Sequence, residues 1–192
     1  GLTMEEEALV VMEVGRAAPA FRSMFATNVG IGSQGIAIDG TAEQKAKYLP
    51  GLASGAIIGS FALTEPEVGS DAGSVRTTAR RDGDHYVLNG TKRYITNAPF
   101  ADMILVMART NAEALPKNAH VSAFLVPRDA PGVSIGKPDG KMGQAGSQIA
   151  DVILEDVHVD GDALLGGEEG IGFRAAMQSL DNGRLSVAAA SV

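Results

Sequence analysis

The chain is predicted to be an α+β protein, a β-barrel or sandwich set between two partial helical regions. Three observations carry this reading. Capped apolar stretches occupy the chain up to about Ser54, short turn-punctuated strand patterns fill the middle, and a helical period resumes at Phe173. At 192 residues the chain is long enough to bury a substantial core.

The elements follow in order. Thr3 with Glu6 three residues on forms a capping box, and Leu9, Val10, Met12 and Val14 continue an apolar helix that Gly15 and Pro19 interrupt. Ala20 to Ile38 reads as a second helical stretch broken by Gly30, Gly32 and Gly35. Thr41 and Gln44 repeat the cap before Ala42 to Pro50, where Pro50 is expected to stop or kink the helix. Ile57 to Leu63 is a short apolar run. Ser74 to Arg81 is β-branched and alternating, Asp82-Gly83-Asp84 signals a hairpin, and His85 to Asn89 follows. Asn89-Gly90 is a second turn signal, after which come Lys92–Thr96, Met103–Arg109, His120–Pro127, Gly132–Ile135 and Ala150–Val159. Phe173, Ala176, Met177 and Leu180 then share one helical face. Gly1-Leu2 carries no initiator Met and no stop signal precedes Val192, so both ends read as cut.

Composition removes several classes of chemistry. The absence of Cys excludes disulfides, thiolate zinc sites, iron–sulfur clusters and Cys nucleophiles. A formal net charge of −7 argues against a nucleic-acid or anionic-membrane surface. No apolar run reaches the roughly 20 residues of a membrane span, and no signal peptide opens the chain, so a soluble, cytoplasmic protein without membrane insertion is expected.

Motifs narrow the field further. His85, His120 and His158 lack metal-ligand spacing, and the acid pairs Asp82/Asp84, Asp160/Asp162 and Glu168/Glu169 read as solvated turns. No metal site is expected. Gly170, Gly172 and Ala175 satisfy G-x-G-x-x-A, but the preceding strand signal ends near Val159, so the pattern reads as a hinge into a helix. The informative stretch is Phe61 to Asp71, FALTEPEVGSD. It leaves an apolar strand and offers the Thr64 and Ser70 hydroxyls, with Gly69 allowing close approach of a polar cofactor. A plain Pro/Gly turn has the same composition. In KRYITNA, Tyr94 and Thr96 stand two apart on a strand and share a face, one aromatic plane and one hydroxyl suited to a flat heteroaromatic ring. An ordinary strand would alternate in the same way.

Taken together these two elements resemble the acyl-CoA dehydrogenase family of FAD-dependent enzymes, and three further matches fall in order. Gly40–Gly55 resembles the end of that family's N-terminal helical domain, Gly140–Gly166 the close of its middle β domain, and Gly172–Val192 the first helix of its C-terminal domain. The resemblance implies a truncated arrangement. Residues 1–56 would be part of the N-terminal helical domain, 57–166 a middle β-barrel domain, and 167–192 the start of the C-terminal helical domain. It implies that Phe61, Leu63, Thr64, Gly69, Ser70, Tyr94, Ile95 and Thr96 bind FAD, with Tyr94 against the ring system and Thr96 near its N5 edge. Ser70, Asp181 and Arg184 would contact acyl-CoA, although an i,i+3 ion pair accounts for the last two equally well.

The implied reaction is oxidation of acyl-CoA to 2,3-enoyl-CoA by α-proton abstraction and β-hydride transfer to FAD, with electrons passed to an electron-transfer flavoprotein and a homotetrameric parent. Some members carry a catalytic Glu immediately before the Arg of the LD..R helix, where this chain has Gly183. Others place the base in the later helical domain. The base is therefore expected beyond Val192, Glu65 is expected to be structural, and the chain alone is expected to be inactive. Gly143–Gln148 lacks the Arg that many relatives carry after Met-Gly. An acyl-CoA oxidase or nitroalkane-oxidase relative, or a non-catalytic β-barrel module, are the alternative readings.

Overall fold

The computed structural model describes residues 2–110 and 120–191, so Gly1 and Val192, the outer limits of the two helical regions, lie outside it. Helices α1 (Met4–Ala17), α2 (Pro19–Ala26), α3 (Gly32–Asp39) and α4 (Ala42–Ser54) precede strands β1 (Gly59–Ala62), β2 (Thr78–Asp82), β3 (His85–Thr96), β4 (Met103–Arg109), β5 (Val121–Pro127), β6 (Val133–Ile135) and β7 (Ile149–Asp160), and α5 (Gly172–Ala189) follows. The class is α+β, and the seven strands form one curled half-barrel sheet.

Both expected capping boxes form. Thr3 and Thr41 each accept from the third helical N–H while Glu6 and Gln44 reach back to the cap. Between α2 and α3 the chain makes a π-turn over Thr27–Ile31 whose Gly30 leaves helical geometry, the break that the glycines signal. Gln44 does more than cap. Buried, it donates to the carbonyls of Asp162 and Leu164, both at 2.8 Å, and accepts from Gly166 N, so α4 is tied to the turn after β7. Thr41→Ala is expected to lower the unfolding free energy by about 1 kcal/mol in urea titrations, the usual worth of an N-cap side chain. Gln44→Ala should cost more, because it also strips partners from three backbone groups, of which the Leu164 carbonyl is buried.

Two sequence expectations are corrected. Pro50 does not stop α4, which runs on to Ser54 and closes on Gly55 in the left-handed conformation at φ 77°. The helical bond that Pro50 forgoes is to Ala46, and both residues are exposed, so water takes the carbonyl. Asn89-Gly90 is not a turn, because β3 runs through it. The ladder to β7 shifts register there, Asn89 exchanges hydrogen bonds with Asp156 at 2.9 and 3.0 Å, and Gly90 passes so close to Thr77 that a Cβ would lie 2.5 Å from its hydroxyl. Pairing with β7 outweighs local turn preference, and the extra residue of the bulge sits on β7, where Glu155 and Asp156 oppose Asn89 alone and Asp156 takes φ 47°.

The sheet has two faces, and each buries a core. On its concave side Leu88, Ile104, Phe124, Val126, Val152 and Val157 pack together, with Tyr86 edge-on to Phe124 at 5.0 Å between centroids. On the other side Leu105, Met107, Val121 and Leu125 meet Ile36, Leu52 and Ala176 from α3, α4 and α5. β4 is buried on both faces because Ile104, Val106 and Ala108 enter the first core and Met103, Leu105 and Met107 the second, while β5 and, in parallel, β1 pair its two edges. This sandwiching holds the end of β1, and the loop that leaves it, against the middle of β3.

Candidate functional site

The loop after β1 folds tightly. Glu65 and Val68 exchange backbone hydrogen bonds at 3.0 and 3.1 Å, leaving Pro66 and Glu67 exposed at the tip, and buried Val68 anchors the return. Three hydrogen bonds then join this segment to β3. Ser60 Oγ donates to Thr96 O at 2.6 Å, Lys92 Nζ to Leu63 O at 3.2 Å, and Arg93 N to Thr64 O at 2.8 Å. The structure thus brings together the two elements that the sequence singled out.

A buried ion pair lies beneath them. Lys92 and Glu65, with side chains 0% and 4% exposed, meet at 2.8 Å. Glu65 also accepts from Arg76 N (2.7 Å), Thr77 N (2.9 Å) and Thr77 Oγ1 (2.6 Å). Burial pushes the Glu65 carboxyl up, but the Lys92 ammonium and the Thr77 donors outweigh it and hold the group below the usual carboxylate range. Burial pushes Lys92 down to about 8 against the pull of Glu65. Glu65 therefore has no free proton-accepting role at the surface. It joins β1, β3 and the segment before β2.

Each predicted residue has a definite place. Phe61 and Leu63 turn their side chains into the core beneath the helices, and Ile95 turns into the concave core, so these three offer only backbone to a ligand. Thr64 is half-buried, while Gly69 and Ser70 are exposed, and a Cβ at Gly69 would have nothing within 4 Å. Space above the loop is therefore open. Tyr94 is exposed, and Thr96, beyond buried Ile95, is half-buried. Regular alternation does not hold along this strand. A second register shift falls between Lys92 and Ile95, where Tyr94 takes φ 60°, and this bulge sends Lys92 inward and Tyr94 outward. Strict period-2 reading would have put both on one face.

Asp181 and Arg184 form an exposed i,i+3 pair at 2.5 Å on α5. Arg184 also lines a groove of about 1030 Å³ between α5 and the first two helices, together with Val10, Phe25, Val29, Leu180 and Val187. Asp181 does not line it. Gly183, the residue before Arg184, lies over Ile31 at 3.4 Å from where its Cβ would be.

Sequence reasoning quoted Lys92 and Arg93 within a strand pattern without assigning them a role, and it passed over Asp151. The available signal was a Lys at a strand position destined for burial, beside a loop Glu that needed a cation. The G-x-G-x-x-A pattern is explained structurally. Gly170 has φ 84°, Gly172 would place a Cβ 2.5 Å from the Ser122 carbonyl carbon, and Ala175 is buried. These residues seat α5 against β5. Among the described residues no cluster of three metal-ligating side chains occurs, and no helix is long and apolar enough to cross a membrane.

At the candidate site an exposed aromatic ring, two half-buried hydroxyls and an open loop lie on adjoining segments. Tyr94 presents a ring, the Thr64 and Thr96 segments are hydrogen-bonded side by side, and the Gly69 loop is open above. Comparison with known proteins gives the following. Residues 60–157 match the model of the acyl-CoA dehydrogenase middle domain, and residues 1–56 match that of the acyl-CoA dehydrogenase N-terminal domain. A probable acyl-CoA dehydrogenase of Bacillus subtilis is 45% identical over 185 residues, covering 96% of this chain and 48% of the relative. The human mitochondrial short-chain specific acyl-CoA dehydrogenase is 43% identical over 188 residues, covering 98% and 45%. The structure of an acyl-CoA dehydrogenase complexed with FAD from Bacillus anthracis superposes with a TM-score of 0.90 at 42% identity, covering 99% of this chain and 32% of that one. The chain spans about half the length of the curated relatives it matches.

Proposed function

The chain belongs to the acyl-CoA dehydrogenase family, and from that premise we propose that it carries the flavin-holding part of an enzyme oxidising acyl-CoA to 2,3-enoyl-CoA. The observation that carries this reading is the 2.8 Å hydrogen bond from Arg93 N to Thr64 O, which sets the Thr64–Ser70 loop beside Tyr94 and Thr96. The division proposed is a helical part over 1–56, the β domain over 57–166 and the start of a second helical domain over 167–192. Bound FAD would supply the redox chemistry, accepting the β-hydride while a carboxylate removes the α-proton.

The residues of this chain hold and orient. Tyr94 offers a stacking surface to the ring system. The Thr64 and Thr96 hydroxyls donate to or accept from its polar edges, while Phe61, Leu63 and Ile95 contribute backbone from positions fixed by their buried side chains. Ser70, on the open side of the loop, faces the thioester part of the substrate. Asp181 and Arg184 contact acyl-CoA, and the apolar wall of the Arg184 groove suits an acyl chain. The proton acceptor is not among these residues: Gly183 has no side chain, and Glu65 is engaged by Lys92, Arg76 and Thr77. Electrons pass to an electron-transfer flavoprotein, and the active enzyme is a homotetramer.

The test is an absorption spectrum of the whole protein after addition of excess FAD and desalting. Retained flavin with shifted bands is expected, and Tyr94→Leu should weaken retention. A whole protein that stays colourless overturns the reading.

A further inference from the structure

We propose that Arg93 and Asp151 are positioning residues for the flavin, forming a clamp that covers one face of the Tyr94 ring and presents the other to the isoalloxazine. The proposal rests on the flavin reading of the site. The Arg93 guanidinium carbon sits 4.9 Å from the Tyr94 ring centroid, and its Nη1 is held by Asp151 Oδ2 at 3.1 Å. The three residues meet because of the bulge. Arg93 and Tyr94 together oppose Asp151 alone on β7, since the ladder steps from the Lys92–Val152 pair to the Ile95–Ala150 pair.

The arrangement departs from the ordinary in a way that needs a reason. Tyr94 adopts φ 60°, a region that bulky residues enter rarely and at a cost, and the result is an exposed aromatic ring rather than a buried one. An exposed Tyr left alone would sample several rotamers and lose that freedom on stacking. Arg93 removes part of that loss beforehand. Its guanidinium lies over the ring, Asp151 holds one end of it, and its backbone N–H fastens the Thr64 side of the site at the same time. The second carboxylate oxygen of Asp151, Oδ1, is buried without a partner, so the hydrogen bonding of this side chain is directed at Arg93. One residue thus links the loop, the aromatic ring and the neighbouring strand.

The test measures FAD dissociation constants by flavin fluorescence for the whole protein and for Tyr94→Leu, Arg93→Met, Arg93→Lys and Asp151→Asn. Arg93→Met and Asp151→Asn are each expected to weaken FAD binding about three- to tenfold. Arg93→Lys, which keeps the cation but not the planar stack, should fall between wild type and Arg93→Met. The thermal midpoint of the flavin-free protein should move no more than for an ordinary surface substitution. A wild-type affinity for Arg93→Met beside a weakened Tyr94→Leu overturns the clamp and leaves the flavin reading standing. A loss of affinity that tracks a fallen thermal midpoint, without recovery by Arg93→Lys, overturns the clamp as well. A whole protein that takes up no FAD overturns both.

Discussion

Lys92→Met is expected to lower the unfolding free energy by about 3–5 kcal/mol, because it leaves the buried Glu65 carboxylate facing an apolar side chain. Removing the cation strands a charge that the fold has already taken out of water, and the hydrogen bonds from Arg76 and Thr77 do not replace it. Lys92→Met/Glu65→Gln should recover part of the loss. A neutral Gln oxygen still accepts from Thr77 N while no charge remains buried. Urea unfolding of the two single variants and the double variant closes the cycle. Additive losses would show that the pair has no special coupling.

The same pair gives stability a pH dependence with a definite sign. Lys92 titrates at about 8 in the folded chain and near 10.5 when unfolded. Between those values the unfolded chain binds more protons, so this group makes stability rise as pH climbs from about 8 to 10.5. Glu65 is shifted down, so its contribution is present above its unfolded value of 4.5 and is lost as pH falls through the lower folded value. Lys92→Met should abolish the alkaline rise.

Gly172→Ala is expected to destabilise by about 1–3 kcal/mol, although Ala is the better helix former by about 1 kcal/mol. The reason is the seat of α5. A Cβ at Gly172 would come within 2.5 Å of Ser122 C and 2.8 Å of Ala123 N, and both are backbone atoms of β5 that cannot swing aside. The first turn of α5 would have to lift from the sheet. Buried Ala175 and Ala176 would lose contacts, and so would the hydrogen bond from Gly170 N to Ser122 Oγ at 2.9 Å. Gly183→Ala is the control. It lies in the same helix with its nearest neighbour, a side-chain methyl of Ile31, at 3.4 Å, and should be neutral or mildly stabilising. Equal unfolding free energies for the two variants would remove the close-packing account of Gly172.

Much of this was legible before the structure. The two capping boxes, the bounds of β4 and the start of α5 follow from local signals: cap chemistry, a β-branched apolar run and a 3.6-residue period. The two elements of the candidate site were singled out by their joint resemblance to a known family, since composition alone reads each equally well as a Pro/Gly turn and an ordinary strand. What failed was decided at a distance. Asn89-Gly90 carries strong turn chemistry, yet pairing with β7 runs a single strand through it. Lys92 and Tyr94 share a face in strict alternation, yet one extra residue in the ladder separates a fully buried ammonium from an exposed ring.

The sequence by itself determined the α+β class and the order of the elements, since each depends on periodicity or on residues within a few positions of one another, while the loop and strand of the candidate site were marked out by resemblance to a family. Only the tertiary structure decided which side chains of these elements are exposed and which are buried, that Glu65 and Lys92 neutralise each other below the loop, and that Arg93 reaches Thr64, Tyr94 and Asp151 at once. Those outcomes depend on strand register. A shift of a single residue in register exchanges the inward and outward faces of a strand, and the pairing that sets it joins residues far apart along the chain.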